Sequence, residues 1–182
     1  KPDQALRRVR DIQARFPQSP IGYDREGALL MSLGRPVQAV AAYQNALSRG
    51  ASGGSLIMLH RAMLATGDRA GAERQAQRWL QEHPSDDAVR AYLAEYRMLA
   101  GDDKAAIGLY EEILRRSPDS PIVLNNLAVL YQRTRDNRAL ATAERALMLA
   151  PESATALDTL GWILVEAGQT ARALDLLRKA VD

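Results

Sequence analysis

The stretch DDAVRAYLAEYRMLAGDDKAAIGLYEEILRRSP, from Asp86 to Pro118, decides the fold. Its first half carries Leu93, Ala94 and Leu99 as the apolar stripe of one helix, and Gly101 ends that helix. Glycine takes up the left-handed backbone that closes a helix without steric cost. Asp102 comes next, where a carboxylate accepts the free N–H groups of a second helix as its N-cap. The second helix shows Ala106, Ile107, Tyr110, Ile113 and Leu114, the i, i+1, i+4, i+7, i+8 spacing of an amphipathic face. Pro118 stops it, and Ser120 is placed to cap the helix that follows. The small side chains of Ala94 and Ala106 let the two helices approach closely.

The same unit recurs along the chain in phase. Gly34, Gly67 and Gly101 are 33 and 34 residues apart, Asp68, Asp102 and Asp136 are 34 and 34 apart, and Pro84, Pro118 and Pro151 are 34 and 33 apart. A helical period of this length describes a solenoid of helix pairs, in which each repeat buries its apolar face by stacking on its neighbours. With the terminal proline set at position 32, repeat five places Leu157, Leu160, Gly161 and Leu164 at positions 4, 7, 8 and 11. Gly168, Ala173, Leu177 and Ala180 follow at positions 15, 20, 24 and 27. Repeat four gives Leu124, Leu127, Ala128 and Tyr131, then Ala139, Ala143, Ala146 and Pro151 after a one-residue deletion near Asp136. Repeat one gives Tyr23, Gly27, Leu30, Gly34, Ala39, Tyr43 and Ala46. Repeat two is the most divergent, with Leu56, Leu59, His60, Met63, Gly67, Ala72, Ala76 and Trp79. Ala5, Val9, Ile12 and Pro17 fit positions 20, 24, 27 and 32, so the chain opens on an orphan second helix.

One domain over 1–182 is expected, divided into that helix (1–17) and repeats at 20–51, 53–84, 86–118, 120–151 and 153–182. The last helix, Thr170 to Val181, carries Leu174, Leu176, Leu177 and Val181, where a terminal capping helix has a polar outer face. The chain also opens on Lys1 instead of Met. Both ends therefore read as cut from a longer array, or as covered by a second copy.

Composition suits a helical scaffold: 47% of residues are hydrophobic, only 5% aromatic, and 25% charged. No apolar run approaches the roughly 20 residues that span a bilayer, and no signal peptide opens the chain. With no cysteine, disulfides and thiolate metal sites are excluded from the segment.

Little in the sequence carries reactive chemistry. The stretch GASGGS, Gly50 to Ser55, follows no strand and lacks the lysine of a phosphate-binding loop. It reads as a helix C-cap followed by a loose junction, or as a hinge between repeats one and two. Gly53 and Gly54 there weaken the next helix's first turn by up to roughly 1 kcal/mol each. His60 and His83 lie 23 residues apart on different helices and form no metal pair. His60 replaces the small residue of position 8 and is expected to perturb packing locally. Asp102 with Asp103, and Glu111 with Glu112, are adjacent residues of a helix that point about 100° apart and share no substrate. They read as capping and solvated groups. No nucleophile and base are paired, so neither an enzyme nor a cofactor is expected.

A formal charge of +2 does not imply nucleic acid. Arg7, Arg8, Arg10 and Arg15, and then Arg133, Arg135, Arg138 and Arg145, are interleaved with Asp11, Asp136 and Glu144 and with no stacking aromatics. They read as a solvated face.

Positions 4, 8 and 11 of each first helix pack inward, so positions 2, 5, 9 and 12 line the other side, the concave face. That stripe comprises Asp24, Ala28 and Met31, then Ile57, Arg61 and Leu64, then Ala91, Glu95 and Met98. It continues with Asn125, Val129 and Gln132 and ends with Asp158, Trp162 and Val165. Such a mixed surface suits an extended or helical peptide, with Asn125 or Gln132 offered to backbone amides and Trp162 as a large anchor. The alternative for Trp162 is packing against a further structural layer. Trp79, at position 27, reads as structural.

The repeat pattern resembles the tetratricopeptide repeat (TPR), over essentially the whole chain. That resemblance implies an all-α, right-handed superhelical solenoid of antiparallel helix pairs, about eleven helices in number. Two capture motifs of the family are missing: the carboxylate clamp sites are otherwise occupied, and the asparagine ladder at position 6 runs Arg25, Met58, Tyr92, Asn126 and Thr159. The segments NNLAVLYQ (Asn125 to Gln132), ATAERALMLAP (Ala141 to Pro151) and LDTLGWILVEAGQTARALDLLRKAV (Leu157 to Val181) further resemble the final repeats of bacterial envelope TPR lipoproteins. Those proteins accompany exosortase (PEP-CTERM) and exopolysaccharide gene clusters. This second resemblance implies a periplasmic or outer-membrane-tethered scaffold in polysaccharide assembly or protein sorting, joined to a membrane only by a lipid anchor outside this chain. The leading expectation is a non-catalytic scaffold with a protein or peptide partner in its groove. The alternatives are self-association through the solenoid ends and a cytoplasmic adaptor.

Overall fold

The computed structural model describes residues 2–181, with side chains described for residues 4–180. Among the described residues there are eleven α-helices and no strand. They are α1 (Pro2–Arg15), α2 (Pro20–Ser32), α3 (Pro36–Leu47), α4 (Gly53–Ala65), α5 (Arg69–Glu82), α6 (Asp87–Leu99), α7 (Asp103–Arg116), α8 (Pro121–Arg133), α9 (Ala139–Leu149), α10 (Ala154–Glu166) and α11 (Thr170–Val181).

One backbone device ends the first helix of every repeat. Gly34, Gly67, Gly101 and Gly168 have φ of 68°, 84°, 78° and 75°, and Arg135 occupies the same repeat position with φ of 57°. At each of these turns two N–H groups reach back to carbonyls that the helix end leaves free. Gly34 donates to the Met31 carbonyl at 3.1 Å and Arg35 to Leu30 at 2.9 Å. Arg135 donates to Gln132 at 3.1 Å and Asp136 to Tyr131 at 2.7 Å, so the deletion in repeat four leaves this turn intact.

The second helices α5 and α7 start on aspartates, whereas α9 starts after Arg138 at its N-cap. The Asp68 carboxylate accepts from the Gly71 N–H at 2.8 Å, and that of Asp102 from Ala105 at 3.3 Å. Asp68→Ala is expected to cost about 1 kcal/mol, seen as a lower thermal midpoint and faster amide exchange in the first turn of α5. Ser120 stands at the N-cap of α8 as expected, but its hydroxyl makes no capping bond.

The chain divides into two compact units, Lys1–Val89 and Arg90–Asp182. The core of the first contains Leu6, Leu30, Tyr43, Leu59 and Met63 with Ala39, Ala62 and Ala72. Its small residues are close-approach points. A Cβ on Gly27 would lie 2.7 Å from the Tyr43 ring. Gly53 is similar: a Cβ there would lie 2.7 Å from Val89 Cγ2 and collide with the Asp86 carboxylate. The loose junction expected at Gly50–Ser55 is therefore a packed one, with Ala51 buried and only Gly50 (φ 78°) in the left-handed region. Asp86 also accepts from Trp79 Nε1 at 2.8 Å and from the Val89 N–H at 3.1 Å, which makes Trp79 a structural residue as expected. The Trp79 ring lies 4.0 Å from that of His83. His60 is 1% exposed, a buried member of α4.

The core of the second unit contains Tyr110, Ile113, Leu127, Leu130, Tyr131, Leu160 and Leu164. Gly161 sits against Leu177, where a Cβ would lie 2.6 Å from Leu177 Cδ2. Arg90 is 3% exposed at position 4, which is Tyr or Leu in the other repeats, and its Nε donates to Glu112 Oε2 at 3.1 Å. On α11, Leu174 is 47% exposed while Leu176 and Leu177 are half-buried. The Val181 side chain lies outside the described residues.

Candidate functional site

In the first unit, α2 and α4 are first helices of consecutive repeats and flank a cleft of about 430 Å³ over Tyr43. Asp24 and Ala28 line it from α2, and Ser55 and Met58 from α4. Asp24 sits at position 5 and is half-buried. Its Oδ2 accepts from Ser55 Oγ at 2.9 Å, while Oδ1 is buried without a partner. Tyr43 beneath is 1% exposed and its hydroxyl also has no partner. Burial, and secondarily the Asp24 charge, push the Tyr43 phenol above its ordinary pKa, so it stays protonated. Unpartnered buried polar atoms cost about 1–3 kcal/mol each, which favours any ligand able to satisfy them.

The second unit has a related cleft between α8 and α10, smaller at about 190 Å³, with Ile122, Asn125, Asn126, Ser153 and Ala156 in its lining. Asn125, again at position 5, is only 7% exposed, deeper than a residue presented on an open face. Its Oδ1 is buried without a partner. The same equivalent places are used in both units. Position 5 of one repeat meets position 3 of the next, which is Ser55 in the first cleft and Ala156 in the second. Asn126 is held by donating to the Tyr110 hydroxyl at 3.0 Å.

The rest of the expected stripe is not gathered into these clefts. Met31, Met98, Val129 and Gln132 are half-buried, and Arg61, Glu95 and Asp158 are exposed. Gln132 donates to Glu166 and borders a separate depression of about 630 Å³ that also includes Arg135, Leu140 and Ile163. Trp162 is 58% exposed on α10, between exposed Asp158 and Val165. Sequence reasoning missed Ser55 and assigned Tyr43 to the core alone. The available signal was position 3, which is buried in all five repeats and polar only at Ser55.

Four arginines of the two clusters, Arg10, Arg133, Arg138 and Arg145, are engaged in ion pairs. Arg10 pairs with Glu26 at 3.3 Å, Arg133 with Asp103 at 3.1 Å and Arg145 with Asp119 at 2.8 Å. Arg138 bonds both Glu111 at 2.7 Å and Asp136 at 2.8 Å, and its guanidinium lies 4.1 Å from the centre of the Tyr131 ring. Side-chain and backbone hydrogen bonds from Arg138 hold the Asp136 carboxyl down at about 2. Because the folded value is depressed, this contribution to stability is complete above the ordinary carboxylate range and fades as pH falls through about 2. Carbon-detected titration of Asp136 is expected to show that midpoint, and Arg138→Met to raise it toward the ordinary range.

Among the described residues no cluster of His, Cys, Asp or Glu could hold a metal ion, and no helix is long and apolar enough to cross a membrane.

Helix pairs stacked in phase, closed by the same left-handed turn, define the class: this is the fold of tetratricopeptide-repeat proteins. Residues 57–121 match the family model described as a tetratricopeptide repeat. The fold is shared with the C-terminal part of a TPR repeat-containing protein from Cytophaga hutchinsonii, at TM-score 0.77 and 16% identity over 99% of this chain and 73% of that one. It is shared with residues 41 to the end of MamA from Desulfovibrio magneticus RS-1, at 0.71 and 16% over 89% and 93% of the two chains. YrrB, described as a TPR protein with an unusual peptide-binding site, gives 0.61 and 18% over 86% and 81%. Comparison with curated protein sequences gives no match. Proteins of this fold are in general non-catalytic protein-interaction scaffolds.

Proposed function

We infer that the chain is a scaffold that binds an extended segment of a protein partner against its first helices. The observation that carries this reading is the pair of equivalent clefts, between α2 and α4 and between α8 and α10. Each is lined by a position-5 side chain whose buried acceptor oxygen has no partner within the protein. An extended peptide supplies N–H donors and side chains for such pockets. Exposed Trp162 adds an anchor of the kind enriched in binding hot spots. YrrB, with its described peptide-binding site on the same fold, supports the reading by analogy. An envelope setting, in exopolysaccharide assembly or protein sorting, rests on the resemblance of residues 125–181 alone. Fractionation of the full-length protein tests it, and a cytoplasmic location would remove it.

The test of binding is affinity capture from a native extract with the parent chain and with Trp162→Ala/Asn125→Ala. The expected result is a protein retained by the parent and lost by the folded variant. Equal retention would move binding away from this face. A second reading, self-association through α11, is favoured by the exposure of Leu174. It requires a molar mass that falls on dilution and a Leu174→Glu variant that stays monomeric.

A further inference from the structure

The cleft between α2 and α4 has a chemistry of its own, and the proposal below deepens the groove-binding reading and rests on it. Asp24 contributes one negative charge to the cleft, with Oδ2 engaged by Ser55 and Oδ1 buried without a partner. Tyr43 forms part of the lining, and its hydroxyl is buried and equally without a partner. The ligand group that suits this pair is a cation with several donors and no acceptor. An ammonium or guanidinium can donate to the carboxylate and to the phenol oxygen together, whereas a neutral amide leaves the buried charge uncompensated. The remaining walls fit the stem of such a side chain. Ile21, Ala28 and Met58 offer apolar surface of the kind that lysine and arginine methylenes cover.

We propose that this cleft is the specificity subsite for a basic side chain of the bound peptide, with Asp24 as the charge partner and Tyr43 beneath it. Arg25 borders the cleft and is exposed. As a like charge it opposes the incoming cation, and it sets the strength of selection without abolishing it. The Asn125 cleft has no charge among Ile122, Asn125, Ser153 and Ala156 and makes no such demand.

The probe is a displayed library of short random peptides selected on the intact chain. Enriched peptides are expected to share a lysine or arginine at one fixed place. A selected peptide should bind Asp24→Asn at least about tenfold more weakly, the scale of a lost charge-assisted hydrogen bond. It should bind Tyr43→Phe more weakly and Arg25→Gln more tightly. Replacing the basic residue of that peptide by norleucine should cause the same loss on the unaltered protein, a result independent of whether Asp24→Asn folds. Enriched peptides without a shared basic residue, or equal binding by the norleucine peptide, would overturn the subsite and leave groove binding standing. If no peptide enriches, groove binding itself is overturned and the subsite with it.

Discussion

Gly27→Val is expected to destabilise the first unit by about 3 kcal/mol, the upper part of the range for overpacking a well-filled core. A Cβ at this position would lie 2.7 Å from Cε1 and Cζ of Tyr43, a ring with no room to retreat because it is itself buried. The new side chain must push α2 away from α3 or drive the ring out of its rotamer. For a chain of this length, each kcal/mol lowers the thermal midpoint by roughly 2–4 °C. The loss should be local, because stacked repeats communicate mainly with their neighbours. Amide exchange should therefore accelerate most in α2 and α3. Gly108 provides the opposite sign. It lies exposed within α7 and nothing would come within 4 Å of its Cβ, so Gly108→Ala should stabilise by about 0.5–1 kcal/mol. If both substitutions shift the midpoint equally, close approach is not what makes Gly27 a glycine.

Glu112→Ala is the second large effect, expected at about 2 kcal/mol. Removing one partner of a buried ion pair costs about 3–5 kcal/mol, and the exposure of Glu112 (46% of its side chain) reduces that here. Arg90 occupies a place that the repeat elsewhere fills with Tyr or Leu, so its cation is taken out of water where an apolar group would rest without cost. The informative measurement is the double-mutant cycle. Arg90→Leu/Glu112→Ala should be more stable than Glu112→Ala alone, since leucine removes the buried charge that the single variant leaves undercompensated. A double variant less stable than the single one would mean that Arg90 contributes through its other contacts.

The parts of the fold written in short-range pattern were legible. Gly101 and Asp102 end one helix and cap the next as their chemistry requires, and the spacing of Leu157, Leu160, Gly161 and Leu164 placed a buried face on α10. Depth and pairing across repeats were harder to read. Asp24 and Ser55 are 31 residues apart, and only packing of one first helix on the next brings them together. For the same reason Asn125 lies sunk in a cleft when helical periodicity alone would set it on an open surface. Arg135 was hidden by its chemistry. It reads as one more basic residue, yet it takes the left-handed backbone reserved elsewhere for glycine, in a turn held by the hydrogen bonds of its own N–H and that of Asp136. Gly53 was misleading in the other sense, since a glycine in a glycine-rich run looked like slack and proved to be a contact.

Arg135 shows that a left-handed turn of this solenoid can carry a side chain. A Cβ on any of the four glycines at the equivalent turns would meet nothing within 4 Å, and the chain has no cysteine. Each turn is thus a place where one thiol could carry a fluorophore or spin label outside the packed helices. At the glycines the change would cost roughly 1–2 kcal/mol in backbone strain, and at Arg135 the backbone already accepts it. Five reporters, one per repeat, would turn the array into its own ruler and show in what order the repeats open.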